Sequence, residues 1–63
     1  MCLSAAYTVR KDSEELICKF VSQISVKDGV VTLTDVMGEV RQIPGELYDV
    51  DLIKNTVKIR VEA

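Results

Sequence analysis

The chain has no histidine and no tryptophan, and its 63 residues include only two cysteines, one proline, two tyrosines and one phenylalanine. Without histidine it cannot form imidazole-based zinc sites, or catalytic couples in which histidine activates a serine or a cysteine. No other pairing of a nucleophile with a base stands out, and so short a chain offers little room for a deep pocket. We therefore predict that the protein is not an enzyme.

The sequence also lacks an excess of basic residues and any long apolar run. Eight Lys and Arg against ten Asp and Glu give a net charge of −2, which argues against binding to a nucleic-acid phosphate backbone. No apolar run approaches the roughly 20 residues of a membrane span. The first residues do not resemble a signal peptide. We expect a cytoplasmic protein with reduced thiols and no membrane partner.

What the chain does have is the balance of a small globular protein, with 48% hydrophobic and 29% charged residues. Its length predicts a single domain over residues 1–63. A chain this short buries only about 60% of its unfolded surface, so small domains rely on disulfides, metals or oligomerisation for stability. Two cysteines allow at most one internal disulfide. We therefore expect an oligomer.

Alternating apolar and polar residues predict strands along most of the chain. The period is clear over residues 3–9 and clearest over residues 56–61. A second β-rich run covers residues 16–26, and its phase slips near residues 20–22, which predicts a bulge. A competing interpretation places a short helix over residues 13–20, although the β-branched and aromatic content favours a strand.

Glycine and proline mark the turns between these strands. Residues 27–29 predict a hairpin loop, Gly38 a turn or bulge, and Pro44 the end of a fourth strand at residues 40–43. Residues 46–50 are interpreted as a connector whose Leu47 and Tyr48 point into apolar surroundings. The pattern predicts an all-β fold of five to six short strands, in a small curled barrel or a sandwich.

Cys2 is the candidate metal ligand. If the initiator Met1 is removed, Cys2 offers a thiolate, an α-amine and a neighbouring backbone amide, and two such ends make a four-donor site. Tetragonal nitrogen and sulfur donors suit Ni(II) or Cu(II), whereas tetrahedral thiolate sites suit Zn(II). If Met1 is retained, backbone amides must replace the amine. The alternative is that Cys2 is a small buried residue of the first strand.

Three other features have simpler explanations. Cys18 lies on the same strand face as Leu16 and Phe20, so we predict a buried core thiol. The acidic residues of 12–15 are interpreted as a solvated turn. Asp49 and Asp51 are interpreted as turn-forming residues, with weak binding of Mg(II) or Ca(II) as the alternative.

Read as a whole, the chain resembles the CooT-type nickel-binding proteins, which are very small bacterial and archaeal proteins linked to maturation of nickel carbon monoxide dehydrogenase. The resemblance is carried by Met1-Cys2, Lys27-Asp28-Gly29-Val30-Val31 before Leu33, Gly38-Glu39, Pro44-Gly45, Val50-Asp51-Leu52, Asn55 and Val57-Lys58-Ile59.

The resemblance implies a symmetric homodimer of small SH3-like or Sm-like β-barrels that binds Ni(II). Cys2 would be the metal-binding thiolate, and Leu3 could contribute only its backbone amide. The protein would then be a nickel carrier or chaperone with a recipient metalloenzyme as its partner. The alternative is an Sm-like or SH3-like interaction module that binds RNA or a protein. Loss of Ni(II) binding on changing Cys2 would distinguish the two.

Overall fold

The computed structural model describes residues 3–61, which form one six-stranded sheet. The strands are β1 (Ser4–Val9), β2 (Glu14–Lys27), β3 (Val30–Asp35), β4 (Val40–Pro44), β5 (Glu46–Asp51) and β6 (Thr56–Arg60). Their order is β4-β3-β2-β1-β6-β5. Neighbours are antiparallel except β1 and β6, which are parallel. The described part of the chain contains no helix able to cross a membrane.

The all-β prediction with up to six strands is confirmed, with three corrections. The sheet curls but is not closed into a barrel, because β4 and β5 are the two ends of the strand order and do not pair with each other. Residues 46–50 were predicted to be a connector and instead belong to β5. The alternative helix over residues 13–20 is wrong, because that stretch is nearly all part of β2.

Strand β2 holds the two halves of the sheet together. Its first half pairs with β1 and its second half, from Val21 onward, pairs with β3. Between the two halves the register shifts on both sides, and Phe20 has φ 59°. A positive φ is rare for a bulky residue and marks a local irregularity. The bulge predicted near residues 20–22 is therefore confirmed, and it bends β2 so that one strand serves both halves.

Two positions need the conformational freedom of glycine. In the β2–β3 hairpin, Asp28 and Gly29 have φ 51° and 77°, the positive pair that a two-residue type I′ loop requires. Gly45 is the single residue between β4 and β5, and its N–H donates to the Gly29 carbonyl at 2.9 Å. A Cβ on Gly45 would overlap the Arg60 carbonyl oxygen. The chain therefore passes from the β3 side to the β6 side through a space that only glycine fits.

The core is small and contains no aromatic ring. Its buried members are Ala6, Cys18, Val21, Val31, Leu33, Val57 and Ile59. Eleven large apolar side chains remain exposed among the described residues. Apolar side chains that are exposed singly are normal, whereas those that cluster usually mark an interaction site.

Candidate functional site

Cys2, the predicted metal ligand, lies outside the described residues, so the site is built from the elements that surround the start of β1. Leu3 is the first described residue and is half-buried, and β1 begins at Ser4. Two residues of extended chain span at most about 7 Å. The start of β1 is therefore the described part of the chain that lies next to residue 2 in sequence.

The strand register shows which elements share that end. Ser4 lies opposite Val21, and Val21 lies opposite Asp35, the last residue of β3. On the other side of β1, the first residue of β6, Thr56, lies opposite Asp51, the last residue of β5. The β3–β4 turn and the β5–β6 turn therefore flank the start of β1.

Two backbone hydrogen bonds tie these turns to their neighbours. The N–H of Ala5 donates to the Asn55 carbonyl at 2.9 Å, and the N–H of Val36 donates to the Phe20 carbonyl at 3.1 Å. The first bond joins β1 to the β5–β6 turn. The second joins the bulge of β2 to the β3–β4 turn. The start of β1 is thus framed by the bulge and both turns.

Large apolar side chains are concentrated at this end of the sheet. Six of them lie in the bulge, the two turns and the start of β4, and each of these residues is between 50% and 93% exposed. We call this set the apolar end, and its members are Phe20, Val36, Met37, Val40, Leu52 and Ile53. Turn tips are usually occupied by Gly, Pro, Asn, Asp and Ser. Apolar pairs at two neighbouring turn tips therefore indicate an association surface.

An aspartate holds each of the two apolar turn tips in place. The Asp35 carboxylate accepts hydrogen bonds from the N–H groups of Met37, at 2.8 Å, and Glu39, at 3.0 Å. Such side-chain bonds to the backbone stabilise turns locally. In this way the turn is ordered although the side chains at its tip have little packing of their own.

Asp51 does the same in the β5–β6 turn. Its carboxylate accepts hydrogen bonds from the N–H groups of Ile53, at 3.0 Å, and Lys54, at 2.9 Å. The Lys54 N–H is the largest of the influences that hold the pKa of Asp51 below its ordinary value. This carboxylate is a turn cap, as the sequence predicted, whereas the same prediction for Asp49 is wrong because Asp49 lies within β5 opposite Lys58.

The other candidate ligands lie away from the apolar end or are already engaged. Cys18 is 6% exposed, and its Sγ lies 3.6 Å from the Lys19 carbonyl oxygen, so the predicted core thiol is confirmed. Glu14 forms an ion pair with Lys58 at 3.4 Å. Within residues 3–61 no group of three or more Cys, Asp and Glu side chains is placed to hold a metal ion. The metal-ligand assignment to Cys2 stays a prediction.

The opposite end of the sheet contains an open groove of about 610 Å³. Partly buried apolar side chains form its floor, and Thr8 lies beside them. The floor includes Ile17, Ile43 and Val61. So short a sequence predicts little room for a pocket, and a groove between two halves of a curled sheet is visible only after the strands are paired.

The alternation of apolar and polar residues does not reveal the apolar end, although the sequence contains another signal for it. Each capping aspartate is followed directly by an apolar pair, Val36-Met37 in one turn and Leu52-Ile53 in the other. Such pairs stand out at positions where turn residues are expected.

Comparison with known proteins gives a family and a fold. The model of a family described as CO dehydrogenase accessory protein CooT matches residues 1–60. A crystal structure of a protein assigned as CooT from Carboxydothermus hydrogenoformans matches with a TM-score of 0.87 and 21% identity, over 98% of this chain and 100% of that one. At this identity the match shows a shared fold. A comparison with curated proteins gives no match.

Proposed function

Because the chain belongs to the CooT family of CO dehydrogenase accessory proteins, we propose that it carries Ni(II) for maturation of such an enzyme. The ion is its cargo, bound through the Cys2 thiolate in a homodimer. The role is binding and delivery without catalysis. It is exercised in the cytoplasm, where thiols stay reduced, and the recipient metalloenzyme is the partner.

The chemistry of residue 2 supports Ni(II) as the cargo. A thiolate combined with amine or backbone amide nitrogens forms the tetragonal donor set that Ni(II) and Cu(II) prefer. One chain supplies half of such a set, and a second copy related by a two-fold axis supplies the rest. The donors must be deprotonated, so binding weakens as the pH falls.

The observation that carries the proposal is the position of the apolar end around the start of β1. Ser4 begins β1 two residues after Cys2, and the six exposed apolar side chains lie in the bulge, the two turns and the start of β4 at this end of the sheet. Two copies that associate through this surface bring their Cys2 residues to a common axis. The association therefore assembles the metal site.

The energetics of association are consistent with this arrangement. Burial of one exposed Val, Leu, Ile, Phe or Met side chain contributes about 1.5–3 kcal/mol. Each copy brings six such side chains. Together they can offset the roughly 4–15 kcal/mol lost in translational and rotational freedom. A core as small as this one also gains from a partner.

The test is a Ni(II) titration of the reduced protein, with its N-terminus established by mass spectrometry. We expect thiolate-to-metal charge-transfer bands that saturate at one ion per two chains. Cys2→Ser abolishes them, whereas the matched control Cys18→Ala keeps them because Cys18 is buried in the core. Unchanged Ni(II) affinity in Cys2→Ser would refute the site, and saturation at one ion per chain would refute the shared arrangement.

The alternative of an RNA-binding module receives little support from the aromatic residues. Tyr48 is the one exposed tyrosine among the described residues, and the Arg60 guanidinium lies 4.6 Å from its ring centroid. Phe20, the other exposed aromatic ring, belongs to the apolar end, whose members include no basic residue, whereas base stacking on proteins combines aromatic rings with a positively charged groove.

A further inference from the structure

Strand β5 offers an unpaired backbone edge. It stands at one end of the strand order and pairs with β6 alone. An unpaired edge presents a row of N–H and C=O groups, which can hydrogen-bond to an additional extended strand. We call Glu46–Asp51 the acidic edge, because its charged residues are all carboxylates.

The two outer strands of the sheet differ in how they are protected against pairing with another strand. In natural proteins, outer strands are protected by Lys, by proline or by bulges. Strand β4, at the other end, carries Arg41 and ends at Pro44. The acidic edge has neither a basic residue nor a proline, and its single irregularity is a register shift between Leu47 and Asp49. Of the two outer strands, β5 is therefore the better template for another strand.

The acidic edge also leaves part of the core margin uncovered. Leu47 lies opposite Ile59, and Val50 lies opposite Val57, and both of these β6 residues are fully or almost fully buried. Yet Leu47 and Val50 are each 41% exposed. They share the face of the core residues, but no further strand lies beyond them. A strand added at this edge would bury both side chains.

The charges at this edge select the kind of strand that fits. Glu46 lies opposite Arg60 and Asp49 opposite Lys58. The Lys58 ammonium, however, is paired with Glu14 at 3.4 Å, and the Arg60 guanidinium lies over the Tyr48 ring. Opposite charges on adjacent strands are favourable and like charges are unfavourable. The two carboxylates therefore favour basic side chains on an incoming strand.

We propose that the acidic edge binds an extended segment of a partner protein by strand addition, and that this segment alternates basic and apolar residues. Backbone hydrogen bonds to β5 provide affinity, Leu47 and Val50 receive the apolar side chains, and Glu46 and Asp49 receive the basic ones. This inference does not depend on nickel, because the edge lies outside the apolar end and uses none of its residues.

The experiment uses the full chain without metal, both as wild type and as Cys2→Ser, so that failure of the nickel proposal leaves the result interpretable. The probes are two capped six-residue peptides, one alternating lysine with valine and the other alternating glutamate with valine. Affinity is measured by calorimetry, and amide hydrogen exchange by NMR locates the binding site. We expect the lysine peptide to bind, to slow exchange of β5 amides, and to weaken with added salt.

Variants with matched charge changes test the role of the carboxylates. Asp49→Lys is expected to weaken the lysine peptide at least tenfold and to improve binding of the glutamate peptide. The control Glu39→Lys makes the same charge change in the β3–β4 turn and is expected to keep wild-type affinities. Circular dichroism verifies that both variants fold.

Four outcomes would overturn the proposal. They are no binding of the lysine peptide, equal binding of both peptides, slowed exchange in β4 in place of β5, and protection of β5 amides that rises with protein concentration in the absence of peptide. The last result would mean that a second copy of this chain occupies the edge.

Discussion

Replacement of Ile53 by serine tests whether the apolar end joins two copies. Ile53 is 93% exposed in the single chain, so its loss should change the stability of the monomer by less than about 0.5 kcal/mol. In a symmetric dimer built on this surface each side chain occurs twice. Burial of a side chain of this size contributes about 1.5–3 kcal/mol, so the dimer loses about 3–6 kcal/mol.

That free energy corresponds to an increase of the dimer dissociation constant by roughly 10²- to 10⁴-fold. Sedimentation equilibrium over a range of concentrations measures it directly. Because dimer stability depends on protein concentration, the denaturation midpoint of the wild type should rise with concentration, and that of Ile53→Ser should rise only at higher concentrations.

The matched control is Val26→Ser. Val26 is 54% exposed and lies next to the β2–β3 hairpin, at the far end of β2 from the bulge. The Val26→Ser substitution should leave the dissociation constant of the dimer within about threefold of wild type, a change in the free energy of association of less than about 1 kcal/mol. Equal effects of the two variants, or a wild type that remains monomeric at every concentration, would refute the assignment of the apolar end.

Three further predictions concern the close approach at Gly45, the turn cap Asp51 and the proposed metal ligand Cys2. Gly45→Ala should lower the free energy of unfolding in urea by about 1–3 kcal/mol, because the added Cβ overlaps the Arg60 carbonyl oxygen; an unchanged midpoint would contradict the close approach. Because the pKa of Asp51 is lower in the folded than in the unfolded protein, ionised Asp51 stabilises the fold at pH values above its unfolded-state pKa. This stabilisation is lost as the pH falls through the folded-state pKa. Asp51→Asn should therefore show a weaker loss of stability in acid than wild type, and identical pH profiles would argue against the turn cap. Nickel affinity should fall as the pH is lowered, since protonation of the Cys2 thiolate removes the ligand; a pH-independent affinity would argue against thiolate binding.

Features that depend on neighbours in sequence could be predicted without the structure. The phase slip in β2 indicated the bulge because a change of face is visible in the alternation itself. The hairpin at Asp28-Gly29 was predictable because a two-residue loop needs two positive φ angles. The burial of Cys18 was predicted correctly but for a reason that does not hold, because Leu16 and Phe20 are exposed and Cys18 lies instead opposite the buried Ala6.

Features that depend on distant strands could not be predicted in this way. Residues 46–50 look like a connector because their alternation of apolar and polar residues is weak. They form an outer strand, which is only partly buried, and its register shifts between Leu47 and Asp49. The apolar end combines the bulge, two turns and the start of β4, and these come to one end of the sheet only through the five pairings of its six strands. The assignment of Cys2 as metal ligand rests on the donor atoms of that residue and on the resemblance to the CooT-type proteins.

The parallel pairing of β1 with β6 has a consequence for the order of events in the cell. Positions 5–9 pair with β2 on one side and with positions 56–60 on the other, so β1 has both of its neighbours only once β6 has left the ribosome. Contacts between such distant parts of a chain slow folding. The parallel half of this pairing therefore completes the sheet late, after every strand between β1 and β6 has been translated.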